Sequence, residues 1–417
     1  MAIKVLNLEL TEGLTPVWGL KGYDGLYALV RHRGRTVGWT YVTAQGPVIS
    51  AERLRDAIGE QLGWGLMLAV LGEQFGPEAE DNKPLPPISV VVCTKDRADQ
   101  LEGCLQALIA LDYPEYEILV VDNASRGDDT AQLAARLPVR YTREVRPGLD
   151  WARNCGIAEA HYDIVAFTDD DARPDSLWLR TIGRAFQAPE VMAVTGLVAP
   201  AELETMAQMH FELDYGGMGH GLQRRIIRRA DLSDGDLLWA STFGAGANMA
   251  FRRELFDTIG PFDVALDVGT ASGGGGDVEM FHRVVARGHT LVYEPSAVVW
   301  HTHRRDMASL RKLLYNNGRS FGAYLLTCAR NRTVRRSSIL RFVFRQWVRR
   351  WLLRRLRRPG KLPRHLVAIE LAGALLSPLA YRSARTRASY IAAVTSGEAG
   401  ASPIPYSRSA QPSHTDS

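Results

Sequence analysis

Three consecutive carboxylates, Asp169-Asp170-Asp171, follow a short apolar run, Ile164-Val165-Ala166-Phe167. The run is β-branched and aromatic and reads as a buried strand. Side chains on extended backbone alternate faces, so Asp169 and Asp171 share one face while Asp170 turns away. Two carboxylates on one face repel each other unless a cation sits between them. Oxygen ligands in a half-open site suit Mg2+ or Mn2+, which keep waters and accept phosphate oxygens as further ligands. A solvated acidic loop has the same local composition, so the weight falls on what the rest of the chain brings to this strand end.

The elements that must position these groups are legible over about half of the 417 residues. Ile88 to Cys93, Tyr116 to Val121, Val139 to Thr142 and Ile164 to Phe167 read as strands. Helices are expected near 98–110, 128–136 and 149–160, between them. Strand alternating with helix implies βαβ units and a parallel sheet covered on both faces. Ligands of such sheets sit beyond the carboxyl ends of the strands. Asp96, Asp122 and the Asp169/Asp171 pair all lie at such ends. Three acidic strand ends in successive units argue for one cleft holding a nucleotide and a metal. Before this region, residues 1–82 alternate like strands and then like one helix near 51–75, started by Ser50. They read as a small α+β accessory module, joined by a proline-rich linker from Glu78 to Pro87.

The composition is that of a globular protein, 46% hydrophobic and 23% charged, with net charge +4. The charge is uneven: no acidic residue lies between Asp306 and Glu370, while Arg recurs throughout. Cys93, Cys104, Cys155 and Cys328 have no metal-type spacing and read as reduced thiols of a cytosolic protein. The start carries no apolar leader, and no stretch reaches the roughly 18–20 apolar residues of a spanning helix.

Val90-Val91-Val92-Cys93-Thr94-Lys95-Asp96-Arg97, Val120-Val121-Asp122-Asn123-Ala124-Ser125 and Phe167-Thr168-Asp169-Asp170-Asp171 resemble the successive motifs of family 2 glycosyltransferases. The resemblance runs from about Ile88 to His303. It implies a GT-A (Rossmann-like) α/β fold with a mostly parallel sheet, and an inverting enzyme that uses a nucleotide sugar. It places Thr94, Asp96, Arg97, Asp122, Arg153, Asp169 and Asp170 around the nucleotide, with Asp122 accepting from a uracil or thymine imide and Arg153 near the diphosphate. Asp171 and His301 are implied as metal ligands, with His303 as second choice. The family carries its catalytic base where this chain has Gly276-Asp277-Val278-Glu279, usually after a Glu that is Gly276 here. Asp277 is therefore expected as the base, taking the acceptor hydroxyl's proton. Asn248, Gly276, Glu279 and His303 are expected on the acceptor side.

From 306 to 394 the chain reads as basic helix. Leu340, Val343, Phe344, Trp347, Val348, Trp351 and Leu352 fall on one face, and Arg341, Arg345 and Arg349 on another. That is the pattern of an interfacial membrane helix; a basic helix docked on the domain gives the same pattern. Residues 395–417 read as a disordered tail. The expectation is thus a catalytic domain over 83–305, peripheral at the cytoplasmic face of a membrane, with a UDP or dTDP sugar donor, a hydroxyl acceptor and no nucleic acid. The rivals are a nucleotidyltransferase, which lacks the Gly-rich basic loop it needs after the first strand, and a non-catalytic binder acting through the Arg-rich tail.

Overall fold

A computed structural model describes residues 2–75, 83–357 and 362–395. The expected linker lies partly, and the expected tail almost wholly, outside the described residues.

The chain opens with strands β1 (Ile3–Glu9), β2 (Val17–Trp18), β3 (Gly25–His32), β4 (Arg35–Thr43) and β5 (Val48–Ile49), then helix α1 (Ala51–Phe75). Ser50 accepts the Arg53 backbone N–H at 3.2 Å, so it does start that helix. β3 lies between β1 and β4, and α1 covers their inner face through Leu54. The module is docked rather than free. Arg31 and Asp175 form a buried ion pair at 2.7 Å. Leu29 and Trp39 share a cluster with Leu197, Val298 and Trp300.

The central unit follows: β6 (Ile88–Thr94), α2 (Ala98–Ile109), β7 (Tyr116–Asn123), α3 (Asp129–Ala134), β8 (Arg140–Glu144), α4 (Leu149–Glu159) and β9 (Ile164–Asp169). Then come β10 (Ala172–Pro174), α5 (Trp178–Ala185), β11 (Val191–Pro200), α6 (Met206–Met209), β12 (Arg225–Ile227), α7 (Asp234–Leu237), β13 (Met249–Arg252), α8 (Leu255–Ile259), α9 (Gly276–Ala286) and β14 (Thr290–His301). The sheet order is β10-β14-β11-β13-β9-β6-β7-β8, with β12 beside β14. β8, β7, β6 and β9 are mutually parallel, as are β11 and β14; β13 runs against both of its neighbours. The carboxyl ends of β6, β7, β9 and β14 therefore share one edge. Alternation along the strands splits the core in two. Val91, Val121 and Phe167 face α4, α8 and α9, while Val90, Val92 and Ala166 face α2 and α5. Each face is fully apolar because helices cover both.

The C-terminal helices are α10 (Met307–Asn331), α11 (Arg336–Phe342), a π-helical stretch Val343–Leu352, α12 (Leu353–Arg357) and α13 (Arg364–Thr395). They are part of the domain. Tyr324, Cys328, Ile339 and Phe342 belong to the same core as Met280 and Phe281. The stripe expected to face a membrane is divided. Val343, Trp347, Trp351 and Leu352 pack inward, while Leu340 and Phe344 stay exposed. Removing apolar surface from water drives this docking, and a partner face existed to receive it. α13 is also one continuous helix across Pro378, long and apolar enough by length and composition to cross a membrane. Yet it lies tightly against α10: a Cβ on Gly318 would sit 1.9 Å from the Glu370 carbonyl oxygen, and one on Gly373 2.1 Å from that of Tyr315. Its outer side exposes Leu375, Leu376 and Leu379.

Glu370 faces inward from α13. Tyr215 donates to its Oε1 at 2.9 Å, its Oε2 has no partner, and burial pushes its carboxyl up to about 7. A carboxyl raised on folding contributes stability at low pH that is lost as pH rises through that value. Glu370→Gln should raise the melting temperature at pH 8.5 and leave it nearly unchanged at pH 5. Equal effects at both pH values, read by thermal denaturation, would contradict a neutral buried carboxyl.

Candidate active site

β10 pairs with β14 in a register that sets Ala172 opposite His301. That pairing carries the imidazole to the acidic strand end. His301 Nε2 lies 3.3 Å from Asp171 Oδ1. Ligand atoms of Asp169, Asp171 and His301 all fall within 4.8 Å of one another. Burial, then the neighbouring Asp171, pushes Asp169 up to about 6. Burial also opposes the charge on Asp171, but the His301 contact and the charges of Arg304 and Arg97 outweigh it and hold the carboxyl below its usual range. His301 is the counterpart: burial disfavours its cation, and Asp171 more than compensates, so its pKa is raised. Behind it, His303 Nδ1 is 3.3 Å from His301 Nδ1, and His303 Nε2 is 3.0 Å from Glu212. His303 is buried there. It backs His301 at the cleft wall, where it can hold that ring's orientation.

Asp170 turns away, as alternation requires. It accepts from the Thr94 hydroxyl at 2.7 Å and from Arg97 at 3.1 Å. Arg97 and Arg304 approach Asp171 at 3.6 and 3.8 Å, placing two guanidinium groups at the rim. Asp96 has φ of +53° and ties two loops, accepting from the Arg126 N–H and donating its own to Ser125 Oγ.

One cleft of roughly 1770 Å3 is lined by Thr94, Arg97, Asp169, Asp171, His301 and, from α9, Asp277. Asp277 Oδ2 accepts the Gly246 N–H at 2.8 Å and Oδ1 accepts the Val278 N–H at 2.9 Å. A side chain on Gly246 would collide with Arg153 and Asp277, so this glycine leaves room for the Asp277 carboxylate.

Several expected positions are corrected. Asp122 has no exposed surface; Tyr141 donates to it at 2.8 Å and the Ser125 N–H at 3.3 Å. It holds the loop after β7 and does not reach the cleft. Arg153 is buried against Asp150 at 3.0 Å and over the Phe262 ring. Burial opposes its charge, and Asp150, Asp277 and Asp169 keep it protonated; it sits among these carboxylates and is not one of the residues lining the cleft. Asn248 is wholly buried, accepting from Trp178 and donating to the Leu197 and Ala297 carbonyls, which is a core role. Glu279 is buried with Arg283 at 2.7 Å. Gly276 faces no acceptor either: a Cβ there would sit 2.0 Å from Asp150 Oδ2. The space is filled by a carboxylate from α4, which burial and the nearby Asp267 raise well above its usual range. Arg304, Glu212 and Tyr141 gave no local signal, since each acts through residues distant in the chain; Asp150 pairs with Arg153 on its own helix, but its approach to Gly276 is equally non-local.

The glycosyl transferase family 2 profile matches residues 89–260. The chain is 26% identical to glycosyltransferase AglE of Haloferax volcanii over 55% of this chain and 71% of that protein. It is 25% identical to the pre-mycofactocin glycosyltransferase of Mycobacterium tuberculosis over 63% of this chain, which spans about half (52%) of that relative. Among solved structures it is similar to the mannosyltransferase PcManGT from Pyrobaculum calidifontis, at 18% identity and a TM-score of 0.42, covering 82% of this chain and 88% of that one. Residues 89–260, with their parallel sheet and their acidic edge, are a family 2 glycosyltransferase domain.

Proposed function

We propose that the protein is a metal-dependent inverting glycosyltransferase that moves a sugar from a nucleoside diphosphate to an acceptor hydroxyl. The observation carrying this reading is that Asp169, Asp171 and His301 line the same cleft as Asp277. The donor set, two carboxylates and one imidazole backed by His303 and Glu212, fits Mg2+ or Mn2+. Such an ion, when bound, offsets charge on a leaving diphosphate. Arg97 and Arg304 add fixed positive charge beside it. Asp277 takes the acceptor hydroxyl's proton while that oxygen attacks the anomeric carbon from the face opposite the diphosphate, so the configuration inverts in one displacement. Asp122 does not contact the base in this arrangement, and a uridine or thymidine donor rests on the family resemblance. Exposed Leu340, Phe344, Leu375 and Leu379 beside many arginines support placement at the cytoplasmic surface of a membrane.

A thermal-shift screen of nucleoside diphosphates and their sugars, with and without Mn2+, tests the reading. Metal-dependent stabilisation by one nucleoside diphosphate is expected, with its release during turnover. Release of pyrophosphate instead would mean nucleotidyl transfer. Cation binding must displace protons from Asp169 and His301, both raised. Mn2+ affinity should therefore rise at least about tenfold from pH 5.5 to 7.5, measured by calorimetry. A flat profile would remove His301 from the ligand set.

A further inference from the structure

Beyond the acidic edge, the cleft has a second wall that the proposed chemistry does not use. It is made by the 240s segment and the C-terminal helices. Trp239 stacks on Phe321 at 5.6 Å between ring centres and 22° between planes. Phe321 stacks on Trp347 at 6.5 Å and 29°, and Trp347 on Trp351 at 5.9 Å and 9°. All four rings line the cleft, and all are half-buried. The row starts beside the base. Ser320, next to Phe321, has its carbonyl oxygen 3.3 Å from where a Cβ on Gly275 would lie, two residues before Asp277. It ends at Arg355, whose guanidinium lies 4.5 Å from the Trp351 ring and 4.9 Å from that of Tyr215.

We propose that this aromatic row is the binding track for an extended glycan acceptor, holding several sugar units so that the terminal hydroxyl meets Asp277. The proposal rests on the glycosyltransferase reading and narrows its acceptor. The chemistry of the wall selects the class. Sugar rings present C–H faces that lie on aromatic planes and hydroxyls that need polar partners at the edges. On α10 the cleft beside Phe321 is lined by Asn316, Asn317 and Ser320 as well as by Leu313 and Tyr324, with Lys312 one turn earlier. Asn317 donates to Tyr215, Asn316 accepts from Arg319 and Ser320 donates to the Asn317 carbonyl; a prenyl or acyl chain laid there would still strip water from their remaining donor and acceptor capacity and from the Lys312 ammonium. A single sugar would cover only part of a four-ring row.

The test uses the full chain on a glycan array bearing neutral and uronate-containing oligosaccharides of one to eight units, with farnesyl phosphate vesicles as the lipid probe. The expected result is binding that strengthens with oligosaccharide length. For a bound glycan, Trp351→Ala should weaken the dissociation constant about tenfold, and Trp351→Phe, which keeps a packed ring, less than threefold; the alanine variant should melt lower because the ring packs on the C-terminal helices, so binding is read well below its melting temperature. No bound glycan, glycan affinity indifferent to Trp351→Ala, or ring-dependent binding of farnesyl phosphate in place of glycans would each overturn the proposal. The assay needs neither donor nor turnover. Failure of the nucleoside diphosphate screen would sink the glycosyltransferase reading, whereas failure on the array sinks only the track.

Discussion

Asp277→Asn should lower turnover about 10²–10⁴-fold while leaving the dissociation constant of the donor within about twofold. The amide is nearly isosteric. Its oxygen can still accept the Gly246 N–H, which the carboxylate accepts at 2.8 Å, while its NH2 gives up the Val278 N–H bond, a local cost at the first turn of α9 that leaves the rest of the helix in place. What is lost is the lone pair basic enough to take a hydroxyl proton. The informative quantity is the split: kcat falls and donor binding stays. Steady-state kinetics with calorimetry for donor binding would measure both. Unchanged kcat would remove Asp277 from the base role, and equal losses in both would mean that the residue holds the cleft's shape.

Asp171→Ala should act on the other side of the reaction. It removes one carboxylate from the group of three and the anionic partner of His301 at 3.3 Å. Mn2+ affinity should fall at least 100-fold, metal-dependent donor binding should disappear, and transfer should drop below detection. The fold itself should survive, because Asp171 sits in the turn between β9 and β10 and the apolar core lies behind it. Calorimetry with Mn2+ alone, then with the nucleoside diphosphate, separates metal loss from donor loss. Full transfer by this variant would end the metal role. With Asp171 absent, Arg97 and Arg304 lose the charge that draws them to within 4 Å, so a residual metal-independent donor affinity from these two groups is compatible with the reading.

The sheet was legible because its information is local. Continuous apolar runs such as Val90-Val91-Val92 mark a strand buried on both faces, and alternating helices mark parallel pairing. The same pattern puts Asp169 and Asp171 on one face and Asp170 on the other, which depends only on strand geometry. Asp122 illustrates the limit. Its position at a strand end pointed to the cleft, but the Tyr141 hydroxyl from β8 and the Ser125 N–H saturate it. The Ser125 N–H is only three residues on, but nothing near Asp122 in the chain announces the Tyr141 hydroxyl. Arg153 shows the same limit in part: Asp150 is a local partner, three residues earlier on α4, but Asp277 and Asp169 come from two other elements, and together they hold it below the floor. Basic and apolar periodicity in 340–352 predicts a single apolar face, yet periodicity does not say what a face meets, and the structure divides it: Trp347 and Trp351 pack inward while Leu340 and Phe344 face out.

From sequence alone, strands β6 to β9, the helices between them and the acidic strand ends were determined, because each depends on neighbours within a turn or two. Only the tertiary structure decided that Asp150 fills the space beside Gly276, that His303 backs His301, and that the Arg-rich helices close the cleft with a row of rings. Those outcomes depend on which distant surfaces come together. Desolvation then sorts the polar groups, leaving some saturated in the interior and others facing the cleft.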